Sequence, residues 1–391
     1  MTGPTQYARL MDAAHPTPRL DVDGVLADRG VRIIVCCGSG GVGKTTTAAA
    51  LALRAAEHHG RRTVVLTIDP ARRLAQSLGL TELDNVPRQV KGVETNGGGG
   101  SLHAMMLDMK RTFDEVVLAH TDPDRAAEIF ANPFYQAMSS TFSGTQEYMA
   151  MEKLGQLHAE GDWDLIVVDT PPSRSALDFL DAPARLGRLL DGRMLRVLLA
   201  PARAGGRSVF SLVTASFSVF SRVVQKVLGN QLLTDLSGFI AALDSMFGGF
   251  RQRAELTYRI LQDRETAFLV VAVPEPDAVR EAAYFARRLG DERMPLAGLV
   301  LNRVHRTEAA LTAEESLAGA AKLDEEGGQE VTADALRIHA TLAEQAEREK
   351  RVARIFTDQF PQVPTVAITA QPADVHDVDG LRLIGAAISQ P

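Results

Sequence analysis

The chain has 391 residues, 23% of them charged and 45% hydrophobic, with a formal net charge of −7. This composition suits a cytosolic enzyme and offers no strongly basic face, so nucleic acid is not expected as a partner. The start lacks the charged-then-apolar layout of a secretory signal, so the chain is expected in the cytoplasm, and the two cysteines, Cys36 and Cys37, are adjacent in a strand whose alternation turns them to opposite faces. Neither a disulfide nor a zinc site is expected from them.

Residues 1–30 read as an N-terminal extension. Asp21-Val-Asp-Gly-Val matches the first motif of haloacid-dehalogenase-like phosphatases, but that chemistry needs its first Asp at the end of a buried strand, and Pro16-Thr-Pro interrupts the chain just before it. Val22, Val25 and Leu26 are expected to pack on the domain or on a partner instead.

The first strand spans 31–37, and Gly38-Ser-Gly-Gly-Val-Gly-Lys-Thr-Thr-Thr follows it and opens a helix, Thr45 to His59, closed by Gly60. Strand, glycine-rich loop and helix in this order make a phosphate-binding P-loop. Gly38, Ser39, Gly40, Gly41, Val42, Gly43, Lys44, Thr45 and Thr46 are the expected ATP-binding residues, since backbone N–H groups wrap a triphosphate only where no Cβ intrudes. Lys44 reaches the β and γ oxygens, Thr45 offers its hydroxyl to Mg²⁺, and the helix N-terminus adds partial positive charge.

A second strand, 63–68, delivers Asp69 and Pro70 to the rim where open α/β sheets bind ligands. Gly97 to Gly100 mark a flexible turn, and a helical excursion of about 108–159 carries Phe113, Val116 and Val117 at helical spacing. Trp163-Asp-Leu-Ile-Val-Val-Asp describes a Walker B strand, 164–169, whose Asp169 is expected to hold Mg²⁺ directly or through water. A second excursion, about 186–263, contains Ser208 to Ser221, an uncharged apolar run too short for the roughly 20 residues that cross a bilayer. It serves either as the packed core of a helical subdomain or as an exposed groove for a client or partner. Strands at 268–273, 296–301 and 365–369 follow, with a third excursion, about 307–356, rich in Ala and Glu around Asp324-Glu-Glu-Gly-Gly.

Taken together, G-x-G-G-x-G-K-T at Gly38 to Thr45, Thr67-Ile-Asp-Pro-Ala-Arg-Arg-Leu, Asp169-Thr-Pro-Pro-Ser-Arg-Ser-Ala-Leu-Asp, Asn302-Arg303 and Ile368-Thr-Ala-Gln-Pro-Ala-Asp-Val resemble the deviant Walker A ATPases. The branch is the one containing the arsenical pump-driving ATPase and the ATPase for guided entry of tail-anchored proteins. The resemblance covers about Val31 to the C-terminus. It implies a doubly wound, mainly parallel α/β sheet, residues 31–391, with helical insertions forming a helical subdomain. It implies that Asp69, with Lys44, is catalytic and orients the attacking water, that Asn302 reads the adenine edge, that Pro372 packs against the ring, and that the second excursion meets hydrophobic or membrane-protein clients.

Departures from the family pattern are informative. Arg174 and Ser175 replace a glycine and a histidine of the second switch, which opens the question of how hydrolysis couples to movement. The family joins its dimer or senses metalloids through cysteines that this chain lacks. Ser39 stands where the deviant loop carries a lysine that crosses to the opposite subunit, so a homodimer would lack that cation in both sites. A heterodimer with a paralogue that keeps the lysine is therefore expected, with Arg174 or a homodimer of altered activity as the alternatives. The remaining alternatives for function are a transport-linked ATPase subunit with a membrane partner and a regulatory nucleotide-binding subunit.

Overall fold

The computed structural model of the chain describes residues 17–68, 73–80, 82–94, 98–133, 135–136, 139, 145–171 and 252–389. Eight strands form one sheet: β1 Ile33–Cys37, β2 Arg62–Thr67, β3 Arg88–Gln89, β4 Ser101–Met106, β5 Leu165–Asp169, β6 Thr266–Ala272, β7 Leu296–Val304 and β8 Thr365–Thr369. Their order is β3-β4-β2-β5-β1-β6-β7-β8. Every described pairing is parallel except that of β3 with β4. All of β1, β5 and β6 is buried, as expected where helices cover both faces of a parallel sheet and the strands become continuous apolar runs.

One face carries Ile34, Cys36, Val65, Val167, Leu269 and Ile368, packed with helix α2, Lys44–His59, and with the buried Leu381, Ile384 and Ile388 of the last helix. The alanines from Ala48 to Ala56 in α2 let it lie close to the strands. Gly60 ends α2 with φ 59°, at the expected position. Parallel pairing brings the C-terminal ends of β1, β2, β5, β6, β7 and β8 to one edge, and the loop after β1 opens there.

All six forecast strands are present, with bounds of β1, β2, β5 and β6 shifted by one or two residues and two further differences. β7 continues through Asn302 to Val304, and β3 and β4 are additional. β4 alternates partly exposed Ser101 and His103 with buried Leu102 and Ala104 and lies next to the two-residue edge strand, so its apolar signal is thin. It begins directly after the glycine run that suggested only a turn.

Residues 18–27 of the extension pack on the sheet itself. Leu20 N donates to Thr365 O at 3.2 Å and Thr365 N to Pro18 O at 2.9 Å, which pairs residues 18–20 with the edge strand β8. Asp21 then caps the short helix α1, Val22–Ala27, its Oδ1 accepting Gly24 N at 2.8 Å, while Val22 and Leu26 are buried in the core. Behind α1 the fully buried Arg61 donates to the carbonyls of Leu26 (3.1 Å), Asp28 (3.2 Å), Val31 (2.5 Å) and Asp164. Burial lowers its guanidinium to about 10.

Described residues of 1–106, 157–177 and 260–391 group into one compact unit, and those of 107–156 and 178–259 into a second. In the first, α8, Ala313–Glu326, starts with a Thr312/Glu315 capping box and is joined through Gly327 and Gly328 to α9, Glu330–Thr357. In the second, Asp108 caps α4, Met109–His120, which buries Phe113, Val116 and Val117, and the buried carboxylate of Glu152 accepts from Arg253 Nε at 2.8 Å. No helix among the described residues is long and apolar enough to cross a membrane. The apolar run 208–221 lies outside them.

Candidate nucleotide and metal site

The loop from Gly38 to Gly43 begins and ends on glycines at positive φ whose close neighbours disfavour a side chain. A Cβ on Gly38, at φ 152°, would lie 2.1 Å from Val271 O, and one on Gly43, at φ 92°, would lie 2.3 Å from Asn302 Nδ2. Gly40 and Gly41 are exposed at the mouth, Val42 is buried beneath it, and Thr45 and Thr46 are half-buried in the first turn of α2. Lys44 is buried, and its Nζ donates to Ser39 O at 2.8 Å, which holds the ammonium inside the loop. The Ser39 hydroxyl oxygen is itself buried and has no hydrogen-bond partner among the described residues.

Beside the loop stands the fully buried Asp169, the last residue of β5. Its Oδ2 accepts the Thr45 hydroxyl at 2.7 Å and the Thr67 hydroxyl at 3.0 Å. The strand ends are fastened together by Ile68 N to Asp169 O at 3.0 Å and by the Thr170 hydroxyl to Cys36 O at 2.8 Å. A buried carboxylate and a threonine hydroxyl in contact are the hard oxygen donors that Mg²⁺ takes in small number, with waters and phosphates completing its octahedron. The glycine-rich loop, the Ser39 hydroxyl without a partner among the described residues and the inward Lys44 ammonium suit phosphate oxygens. The donor set therefore fits both Mg²⁺ and a triphosphate.

The two thiols behind the loop are inert. Burial, with the Asp169 carboxylate, pushes Cys36 well up, and burial raises Cys37 to about 12. Among the described residues no group of three His, Cys, Asp or Glu side chains is placed to hold a metal ion.

Lys44, Thr45 and Asp169 are thus brought together. Asn302 sits against the loop: its Nδ2 donates to Val42 O at 2.9 Å and its Oδ1 accepts Arg303 N at 2.9 Å, with Arg303 at φ 58°. Pro372 is exposed on the segment after β8. Asp69, Arg174 and Ser175 lie outside the described residues. Thr67 was not among the expected site residues, although a hydroxyl at the end of the apolar run Val64-Val65-Leu66, two residues before Asp69, is a signal that strand periodicity offers.

A glycine cradle between a central strand and a helix N-terminus, a lysine within it and a carboxylate on the neighbouring strand define a P-loop nucleotide hydrolase. A model of the anion-transporting ATPase family matches residues 31–316, well over half of the chain. The chain belongs to that family and is an ATP-binding ATPase. It is 24% identical over 284 residues to "ATPase ASNA1 homolog 1" of Paramecium tetraurelia, covering 72% of this chain and 77% of that one. It is 28% identical over 179 residues to "ATPase GET3" of Malassezia globosa, covering 46% and 49%. It is 30% identical over 160 residues to "Putative arsenical pump-driving ATPase" of Prosthecochloris vibrioformis, covering 40% and 36%. The chain thus spans about half or less of the latter two relatives.

Proposed function

We propose that this chain hydrolyses ATP in a Mg²⁺-dependent manner to drive the conformational change of a dimer that handles hydrophobic or membrane-protein clients. The observation that carries the chemistry is the 2.7 Å contact of Thr45 with Asp169 beside the buried Lys44. Thr45 and Asp169 hold the metal, which when bound neutralises charge on the β and γ phosphate oxygens. Residues 38–46 wrap the phosphates with N–H groups, Lys44 adds a full charge, and Asp69 orients the attacking water. Asn302 exchanges Val42 O for the adenine edge, and Pro372 packs on the ring. Clients are assigned to the helical excursion 186–263 because its run 208–221 is apolar and uncharged.

Ser39 shapes the partnership. A hydroxyl does not replace a cation aimed at a phosphoryl transition state, and a cation of that kind contributes roughly 10³-fold or more. The partner is therefore a paralogue whose loop lysine completes this chain's site. A second reading, an ATPase subunit driving a membrane transporter, is favoured by the anion-transporting family description and by the arsenical-pump relative. For arsenite itself the two buried, neutral thiols argue against a thiolate site.

Turnover of the chain alone and mixed with a lysine-bearing paralogue, with Asp69→Asn made in whichever assembly is active, tests these assignments. Mixing is expected to activate, and Asp69→Asn to lower turnover by orders of magnitude while ATP binding stays near the parent's. High activity of the unmodified chain as a homodimer overturns the heterodimer, and parent-like turnover of Asp69→Asn overturns the role of that residue.

A further inference from the structure

Thr67 is 1% exposed, ends β2, and pairs in register with Asp169 on the adjacent β5. A valine would fill its volume and match Val64, Val65 and Leu66. A hydroxyl is costly to bury without a hydrogen bond, and this one goes to Asp169 Oδ2, the oxygen that Thr45 also contacts. Two hydroxyls converging on one carboxylate oxygen, from β2 on one side and α2 on the other, fix the carboxylate rotamer. The next residue, Ile68, donates its N–H to the Asp169 carbonyl, so side chain and main chain both fasten β5 to the strand that leads within two residues to Asp69.

We propose that Thr67 is a positioning residue for the metal: its hydroxyl aims the Asp169 carboxylate at Mg²⁺ and ties the metal seat to the segment carrying Asp69. The inference rests on Asp169 being the carboxylate that holds Mg²⁺. Thr67 acts through Asp169 without touching the metal, and groups that orient ligands in this way typically contribute about 10- to 100-fold in metal affinity or activity.

The test compares Thr67→Val, Thr67→Ala and Thr67→Ser with the parent, using the full chain. Affinity for a non-hydrolysable ATP analogue is measured by calorimetry with Mg²⁺ and with a chelator in its place, and melting temperature is recorded alongside. For Thr67→Val and Thr67→Ala the affinity in chelator is expected to match the parent's, while the Mg²⁺-dependent gain falls about 10-fold or more. Thr67→Ser, which keeps the hydroxyl, is expected to restore the gain. Should Thr67→Val not fold, the contrast between Ala and Ser decides. A parent-like Mg²⁺ response in the hydroxyl-free variants overturns the role of Thr67, as does a Ser variant as impaired as the others. If neither the parent nor Asp169→Asn responds to Mg²⁺, the metal seat itself is overturned, and the role of Thr67 with it.

Discussion

Asp169 and Arg61 are both charged, both fully buried and both at strand ends, yet they sit at opposite ends of the sheet and are held differently. Arg61 donates to four main-chain carbonyls, from Leu26, Asp28, Val31 and Asp164, which are fixed by the course of the backbone. Asp169 is contacted by the hydroxyls of Thr45 and Thr67, groups that can accept as well as donate. A buried charge bonded to main chain serves the fold, because exchanging its partners would mean moving strands. A buried charge bonded to hydroxyls beside a glycine cradle is poised for a ligand, because the Thr45 hydroxyl can turn a lone pair to a metal without moving a strand.

The largest effect that sharpens this contrast is expected at Asp169. Asp169→Asn keeps the shape and the acceptor for both hydroxyls but removes the charge that attracts the metal, so turnover should fall by about 10³-fold. Because an asparagine oxygen can still accept from the Thr45 and Thr67 hydroxyls, the melting temperature should stay near the parent's. Steady-state turnover and thermal melting of one preparation measure both. A variant that loses stability along with activity breaks the distinction.

Arg61→Ala should do the reverse. It leaves four buried carbonyls without their donor and opens a large space beneath α1, a loss of about 3 kcal/mol or more in unfolding free energy. Affinity for the ATP analogue should stay near the parent's, since the cradle lies at the other end of the sheet. Denaturant unfolding and calorimetry report the two quantities, and a variant as stable as the parent contradicts the structural role.

How well each end could be foreseen follows from the range of the interactions. The loop 38–46, the helix start, Gly60 at the helix end and the apolar strands are local signals, each dictated by what the backbone needs within a few residues. Asp169 was legible for the same reason, as a carboxylate closing an apolar run. Arg61 reads as one of 42 cations, because its partners lie 30 to 103 residues away. Asn302 has a residue type suited to a base edge, but its contact with Val42 and its closeness to Gly43 depend on a neighbour 260 residues distant. β4 stayed hidden because its partly exposed Ser101 and His103 dilute the strand signal.

The smallest effect probes the fastening of the extension, where charge pairs with charge near solvent. The carboxylate of Asp23 on α1 accepts Arg54 Nε and Nη2, each at 2.7 Å, and lies 3.0 Å from His59 Nε2. The Arg54 hydrogen bonds, helped by His59 and opposed by burial, hold it near pKa 2 against an ordinary 3.8. A carboxyl whose folded value is depressed stabilises the fold above its unfolded value, and that contribution is lost as pH falls through the folded value. Since 37% of the Asp23 side chain is exposed, water and salt screen the pair, and Asp23→Asn should lower stability by only about 1 kcal/mol or less at neutral pH. The gap between parent and variant should begin to close below about pH 4, narrow toward pH 2, and shrink in about 1 M salt, as followed by denaturant titration at each condition. If the gap keeps its neutral-pH size throughout that acid range, the carboxylate charge is not what fastens α1 to α2, and packing of Val22 and Leu26 alone holds the extension in place.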